Sequence, residues 1–199
     1  MLFPNAFVGA KDKKRDFMLN FPAIIPSPWL IPEVISFLDR YLTGLQDPKI
    51  LEFGSGCSTA FFVKYLGVSG ELTSIEHNQA WHGHVCAYLE QNSLNKQVDL
   101  RFVQDNCAQV CQQFAANSFD LVFIDAKDRM ACLQAAREIV KPGGMVMLDD
   151  SQMRDKYQIA NQIMADWPKS ELVGVKSNPL DLTAPEQISA TAWWIKPAM

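Results

Sequence analysis

At 199 residues and 48% hydrophobic content, the chain carries enough apolar side chain for the core of one globular domain. Its 18 basic against 22 acidic residues leave a net charge of -4 and a pI near 5.3, which provides no general attraction for a phosphate backbone and excludes nucleic acid as an expected partner. The single basic run, Lys11 to Arg15, is broken by Asp12, followed by Asp16, and reads as a solvated loop.

No apolar stretch is long enough to span a bilayer, and the opening lacks the basic-then-apolar order of a secretory signal, so a cytoplasmic protein with no membrane partner is expected. Five cysteines, an odd number never spaced as Cys-x-x-Cys, read as reduced packing residues. His82 and His84 flank one glycine, but no further His or Cys stands at a spacing that completes a zinc site.

The hydrophobic period alternates between short strand-like runs and longer helical ones, which predicts a largely parallel sheet. After an irregular, proline-rich stretch from Phe21 to Pro32, a helix is predicted over Glu33 to Leu42, with Val34, Phe37, Leu38 and Tyr41 on one face and Gly44 stopping it. This helix is expected to cover the sheet's edge or the mouth of a pocket. Strand one is predicted at Lys49 to Phe53, then a glycine turn and a helix from Ser58 to about Leu66. Strand two follows at Leu72 to Glu76, a helix from Asn78 to about Leu94, strand three at Val98 to Val103 and a short helix from Ala108 to Ala115. Phe119 to Ile124 is nearly all apolar, as a central strand buried on both faces must be. A helix from Arg129 to Val140 ends at Lys141-Pro142-Gly143-Gly144, and strand five is predicted at Met145 to Leu148.

The last third breaks the repetition. A helix from Arg154 to Trp167 precedes two strand candidates, Glu171 to Val175 and Ala190 to Ile195, with no helical segment between them. A parallel crossover needs one, so the two are expected to run antiparallel. Trp193 and Trp194, adjacent in the last strand, are predicted to project one ring onto each sheet face.

Ligands of an open parallel sheet bind beyond the carboxyl ends of its strands. There, Glu52-Phe53-Gly54-Ser55-Gly56-Cys57-Ser58-Thr59 combines glycines that let the backbone turn sharply with a helix N-terminus offering unpaired N–H groups. The plainer reading is a strand-to-helix turn capped by Ser58 or Thr59. Strand two ends in Glu76, beside His77, about 20 residues after the turn, where an acidic residue can accept both hydroxyls of a ribose. Asp105 and Asn106, after strand three, either face an adenine or cap the short helix that follows.

At these residues the chain resembles the class I S-adenosylmethionine-dependent methyltransferases. The resemblance rests on Glu52, Gly54 and Gly56, on Glu76, on the Phe119-to-Asp125 strand, on the Lys141-to-Gly144 turn and on the terminal hairpin; the Gly-Ser-Gly-x-Ser-Thr turn marks a subgroup, with Ser58 where many relatives place a third glycine. It implies a Rossmann-like three-layer α/β sandwich, with a seven-stranded, mostly parallel sheet whose last strand is antiparallel. Residues 1–48 then form an irregular segment and covering helix, and residues 49–199 the cofactor-binding part, all in one globular domain. It further implies S-adenosylmethionine held by Glu52, Gly54, Ser55, Gly56, Ser58, Thr59, Glu76, His77, Asp105, Asn106 and Asp125, with Gly54 to Gly56 at the methionine part, Glu76 at the ribose and Asp105-Asn106 at the adenine.

Methyl transfer from a sulfonium requires positioning of the acceptor and removal of its proton, if it carries one. Asp125 after strand four and Asp149-Asp150 after strand five are expected around one crevice, paired with cations such as Lys127, Arg129 or Arg154, or holding a divalent metal. The catechol-type O-methyltransferases are similar here: in that family an Asp after strand four and an Asp-Asn pair after strand five hold magnesium, which maps to Asp125, Asp149 and Asp150, with Asp150 replacing the Asn. A shorter spacing from Asp125 to Arg129 also departs from the family, and a carboxylate network is expected ahead of a magnesium site. Arg154 and Tyr157, three apart on the next helix, complete the candidate catalytic set with Asp125 and Asp149. The expected activity is methylation of a small molecule, at oxygen. A nicotinamide-dependent oxidoreductase and a non-catalytic cofactor-binding module are the alternatives; the former lacks a Tyr-x-x-x-Lys pair and a separate substrate domain.

Overall fold

The computed structural model describes residues 23–152, 159–178, 183 and 185–198. In chain order these give α1 (Pro32–Thr43), β1 (Lys49–Phe53), α2 (Cys57–Phe62), β2 (Glu71–Glu76), α3 (Gln79–Gln91), β3 (Val98–Phe102), β4 (Phe119–Ile124), α4 (Arg129–Ile139), β5 (Val140–Leu148), α5 (Ala160–Ile163), β6 (Lys169–Lys176) and β7 (Gln187–Ile195). Two 3₁₀ segments, Val63–Tyr65 and Cys107–Gln113, stand where longer helices were predicted.

All seven strands form one sheet in the order β3-β2-β1-β4-β5-β7-β6. Its strands pair in parallel except β7, which runs antiparallel to both β5 and β6. The order reverses between β1 and β4, so the loops after these two strands leave the sheet in opposite directions and open a crevice. Register then decides what lines it. Phe53 pairs with Ile75 and with Ile124, and Ile124 with Leu148, so four strands end level. The ladder continues one residue further, through Gly54 N–H to the Ile75 carbonyl, Asp125 N–H to Phe53 and Asp149 N–H to Ile124.

The core lies on both faces of this sheet. On one, Val34, Leu38 and Leu42 of α1, Ala60 to Phe62 of α2 and Val85 and Leu89 of α3 pack on Ile50, Leu72, Leu121 and Phe123. On the other, Cys132, Leu133, Ala136 and Ile139 of α4, with Met164 and Trp167, pack on Leu51, Val122, Ile124 and Val146. The adjacent tryptophans divide as predicted, Trp193 to the first cluster and Trp194 to the second. Phe37 of α1 stacks on Trp193 at 4.4 Å between ring centroids, and the Tyr41 hydroxyl donates to the Asp120 carbonyl. The covering helix is thereby fastened to the middle of the sheet, not only to its edge.

Several boundaries differ from the sequence reading, each for a local reason. Strand β5 begins at Val140, five residues early, because Lys141 to Gly144 pass through the sheet as an irregularity: Val140 still pairs with Phe119, the register shifts, and Gly143 takes φ +79° while bonding to the Lys196 carbonyl. Helix α3 stops at Gln91, where Ser93 adopts φ 59° and Leu94 N–H closes back on the Leu89 carbonyl. Of the helix predicted over 154–167, the described residues show helix only at Ala160–Ile163.

Leu38 is fully buried under α1. Leu38→Ala should cost about 2–5 kcal/mol in urea unfolding; a loss below about 1 kcal/mol would mean that the α1 face adds little to the core.

Candidate active site

Acidic side chains from four adjacent strand ends meet at the carboxyl edge of the sheet. Glu52 is the penultimate residue of β1, Glu76 ends β2, Asp125 follows β4 and Asp149-Asp150 follow β5. Each is held differently.

Glu52 has no exposed surface and faces inward. Its carboxylate accepts hydrogen bonds from the Ser58 hydroxyl, from Thr59 Oγ1 at 2.6 Å and from Ser74 Oγ at 2.6 Å. Thr59 Oγ1 in turn accepts from Gly56 N–H at 2.9 Å, so the acid anchors the turn and the first residues of α2 together. Burial pushes the Glu52 carboxyl from 4.5 up to about 7, with the three hydroxyls pulling downward and the Asp125 charge adding to the rise.

Gly54 (φ +96°) and Gly56 (φ +156°) make the turn between β1 and α2. A Cβ on Gly54 would stand 2.2 Å from the Asp125 carbonyl oxygen, so no other residue fits without displacing the β4 loop. Ser55 is clamped between two neighbours. Its N–H and hydroxyl both donate to Glu76 Oε2 at 3.2 Å, and its carbonyl accepts from the Trp81 indole at 2.7 Å. Glu76, 3% exposed, also accepts from Asn78 N–H at 2.7 Å, and His77 Nδ1 lies 3.2 Å from Oε1. Asp105 and Asn106 are exposed beyond β3; Asn106 takes φ 53° and makes no side-chain capping bond to the 3₁₀ segment that follows.

Asp125, Asp149 and Asp150 can each present an oxygen such that all three lie within 4.8 Å of one another. Two cations among the described residues are set into this cluster. Arg129, the first residue of α4, pairs with Asp125 at 2.5 Å, reaches Asp150 at 3.5 Å and donates to the Asp149 carbonyl. Lys176, at the end of β6 and with a side chain only 5% exposed, puts Nζ 3.0 Å from Asp149 Oδ2 and 2.8 Å from Asp150 Oδ1. Thr191 Oγ1 bonds the remaining Asp149 oxygen at 2.7 Å, and Ser189 Oγ meets Asp150 at 3.0 Å. Burial raises the Asp149 carboxyl against the pull of Lys176. Burial would also raise Asp150, but Lys176 and Arg129 overcome it and hold that carboxyl below its ordinary range. For Lys176, the two carboxylates outweigh burial and raise the ammonium. Burial and the neighbouring carboxylates raise Asp125 against Arg129, yet 40% of its side chain meets solvent, which limits the rise.

The structure thus brings together Glu52, Gly54 to Gly56, Ser58, Thr59, Glu76 and His77 on one side of the crevice and Asp125, Asp149 and Asp150 on the other. Arg154 and Tyr157 lie outside the described residues. Of the expected cations, Arg129 is in place, Lys127 is exposed, and Lys176 went unrecognised. It was legible: β6 runs parallel to β5, so the lysine that follows the Leu172-to-Val175 run arrives at the same edge as Asp149. Trp29, 40% exposed and 5.4 Å from Lys176 Nζ to its ring centroid, was missed as well and carried no sequence signal.

Strand order, crevice and terminal hairpin define a Rossmann-like methyltransferase fold. A family model described as a methyltransferase domain matches residues 51–151, and the chain belongs to that family. No curated protein matches its sequence at a significant level. Among solved structures it is similar to an O-methyltransferase from Bacillus cereus in complex with S-adenosylhomocysteine, at 18% identity and a TM-score of 0.70, covering 96% of this chain and 94% of that one. It is also similar to the O-methyltransferase TomG of tomaymycin synthesis from Streptomyces achromogenes, at 16% identity, TM-score 0.63, and 92% and 85% coverage. A SAM-dependent O-methyltransferase from Thermotoga maritima gives 16% identity, TM-score 0.62, and 87% and 69% coverage. At these identities the likeness is one of fold.

Because folded Glu52 keeps the proton that the unfolded chain releases near 4.5, its contribution to stability is complete below that pH and is lost as pH rises to about 7. The loss amounts to about 3 kcal/mol. Glu52→Gln, neutral throughout, should flatten this part of the stability profile in chemical denaturation between pH 5 and 7.5; a variant retaining the full wild-type slope would show that Glu52 ionises freely in the fold.

Proposed function

We propose that the protein transfers a methyl group from S-adenosylmethionine to an oxygen of a small-molecule acceptor. One observation carries the reading: a glycine turn with positive φ, locked to the carboxylate that ends β2, faces a second, charge-compensated group of carboxylates across the switch point.

The residues fit the cofactor's chemistry. Glu76 is the acceptor for the ribose hydroxyls, with His77 beside it; Gly54, Ser55 and Gly56 let the backbone approach the methionine portion, and exposed Asp105 and Asn106 receive the adenine edge. Glu52 acts through Ser58 and Thr59, fixing the turn. Bound S-adenosylmethionine supplies a methyl group on a sulfonium, already activated for displacement. The chain's task is to orient the acceptor oxygen and take its proton. Asp125, the most open of the three aspartates, accepts that proton, while Arg129 fixes its position. Asp149 is too enclosed to meet an acceptor and supports Lys176 and Thr191 instead. Arg154 and Tyr157 are proposed to complete the acceptor side.

Glu76→Gln leaves one acceptor oxygen in place of two, and should weaken S-adenosylmethionine binding at least tenfold, about 1.4 kcal/mol, in titration calorimetry. Unchanged affinity would remove Glu76 from the cofactor site. Release of S-adenosylhomocysteine over a panel of hydroxylated aromatic and aliphatic acceptors tests the activity; cofactor binding with no turnover on any acceptor would favour a non-catalytic module. Once an acceptor is found, Asp125→Asn should lower kcat by about a hundredfold or more, with KM changed little. A variant with wild-type kcat would end the assignment of Asp125 as base.

A further inference from the structure

We propose that Lys176 is the built-in cation of the acceptor-side crevice, filling the place that a divalent metal would take, so that methyl transfer here is metal-independent and does not require a chelating diol as acceptor. The proposal deepens the functional reading above and rests on it for its catalytic part.

The three aspartates have the spacing of a metal site, all within 4.8 Å. What lies between them decides whether they are one. A magnesium ion shared by Asp149 Oδ2 and Asp150 Oδ1 would need to stand about 2.0–2.1 Å from each oxygen. Lys176 Nζ already bridges those same two oxygens at 3.0 and 2.8 Å. An ion placed there would overlap the ammonium. The lysine has little room to withdraw, since its side chain is 5% exposed and lies against the Trp29 ring. Nor do the carboxylates offer a full set of free oxygens: Thr191 holds Asp149 Oδ1, Ser189 and Gln152 both bond Asp150 Oδ1, and Arg129 occupies Asp125 Oδ1. Charge leads to the same conclusion. Three carboxylates facing one lysine and one arginine carry a net charge of about -1, which leaves far less demand for a divalent ion than the bare trio would. Position 176 closes β6, which runs parallel to β5 on the far side of β7, so the sheet itself brings the ammonium to the edge where Asp149 and Asp150 lie.

Two consequences separate Lys176 from an ordinary buried ion pair. A chelated metal binds an acceptor through two adjacent oxygens; a buried ammonium bonded to Asp149 and Asp150 offers no such pair of coordination positions, so an acceptor needs only the hydroxyl that Asp125 deprotonates. Removal of the ammonium should also uncover a latent metal site.

The test uses the full chain as wild type, Asp149→Asn, Lys176→Ala, Lys176→Arg and Lys176→Ala/Asp149→Asn, with Mg²⁺ or Mn²⁺ as the only added ligand, read by melting temperature and by Mn²⁺ titration calorimetry. Wild type and Lys176→Arg should show no metal-induced shift. Lys176→Ala should melt lower in EDTA, regain part of the loss with either ion and bind Mn²⁺ at least about tenfold more tightly than wild type, and the double variant should lose that gain. A wild-type shift that Asp149→Asn removes, or a folded Lys176→Ala that gains no affinity for either ion, would overturn the proposal. If Lys176→Ala does not fold, the wild-type titration decides. None of these readouts depends on methyl transfer, so a failure of the functional reading would appear separately, as absent turnover with the metal results unchanged.

Discussion

Every other feature of the site depends on how the carboxylates at one end of the sheet are compensated. Parallel strands of matched length bring their ends level, and in this chain those ends carry Glu52, Glu76, Asp125 and the Asp149-Asp150 pair. So many acids side by side, several with almost no exposed surface, would be expensive without partners. The protein uses three different solutions. Hydroxyls surround Glu52, backbone and side-chain donors of the glycine turn satisfy Glu76, and Lys176 with Arg129 offsets most of the charge of the aspartates.

These solutions divide the crevice into two halves with different chemistry. The β1–β2 half is held by hydrogen bonds from hydroxyl and backbone N–H donors, and its two acids are tied into one turn through Ser55, Thr59 and Ser74. That suits recognition of a polar ligand by shape and hydroxyl pattern. The β4–β5 half is held by charge, with one aspartate at the solvent boundary and two behind it locked to a lysine. In the proposed reaction a proton taken up at Asp125 would enter a network whose remaining charges are already fixed, so little would have to reorganise as the acceptor ionises.

How far the sequence could disclose this follows from which interactions are local. Strands β1 and β4 were legible to the residue because a short, mostly apolar run between turn signals has one reading when both faces are covered. The antiparallel hairpin followed from the missing crossover helix, and the split of Trp193 from Trp194 from the two-residue period of a strand. The glycine turn and Glu76 were legible as a pair, since their spacing is set by one strand, one helix and a second strand. Other features come from contacts distant in sequence. Glu52 was placed at the crevice, but its inward direction depends on Ser74, 22 residues away on another strand. Lys176 lies 27 residues from Asp149, and only the β5-β7-β6 order makes them neighbours. The early start of β5 is likewise fixed by pairing with Phe119 and by the bond from Gly143 to Lys196, not by the turn residues themselves.

The most direct measurement is a crystal structure of the protein with S-adenosylhomocysteine bound. The expected result is the ribose hydroxyls on the Glu76 carboxylate, the amino-acid portion along Gly54 to Gly56, and the sulfur facing the open side of Asp125, with Lys176 still bridging Asp149 and Asp150. A ligand seated away from the β1–β2 turn, or a Glu76 that touches only Ser55 and Asn78 while the ligand is bound, would contradict it.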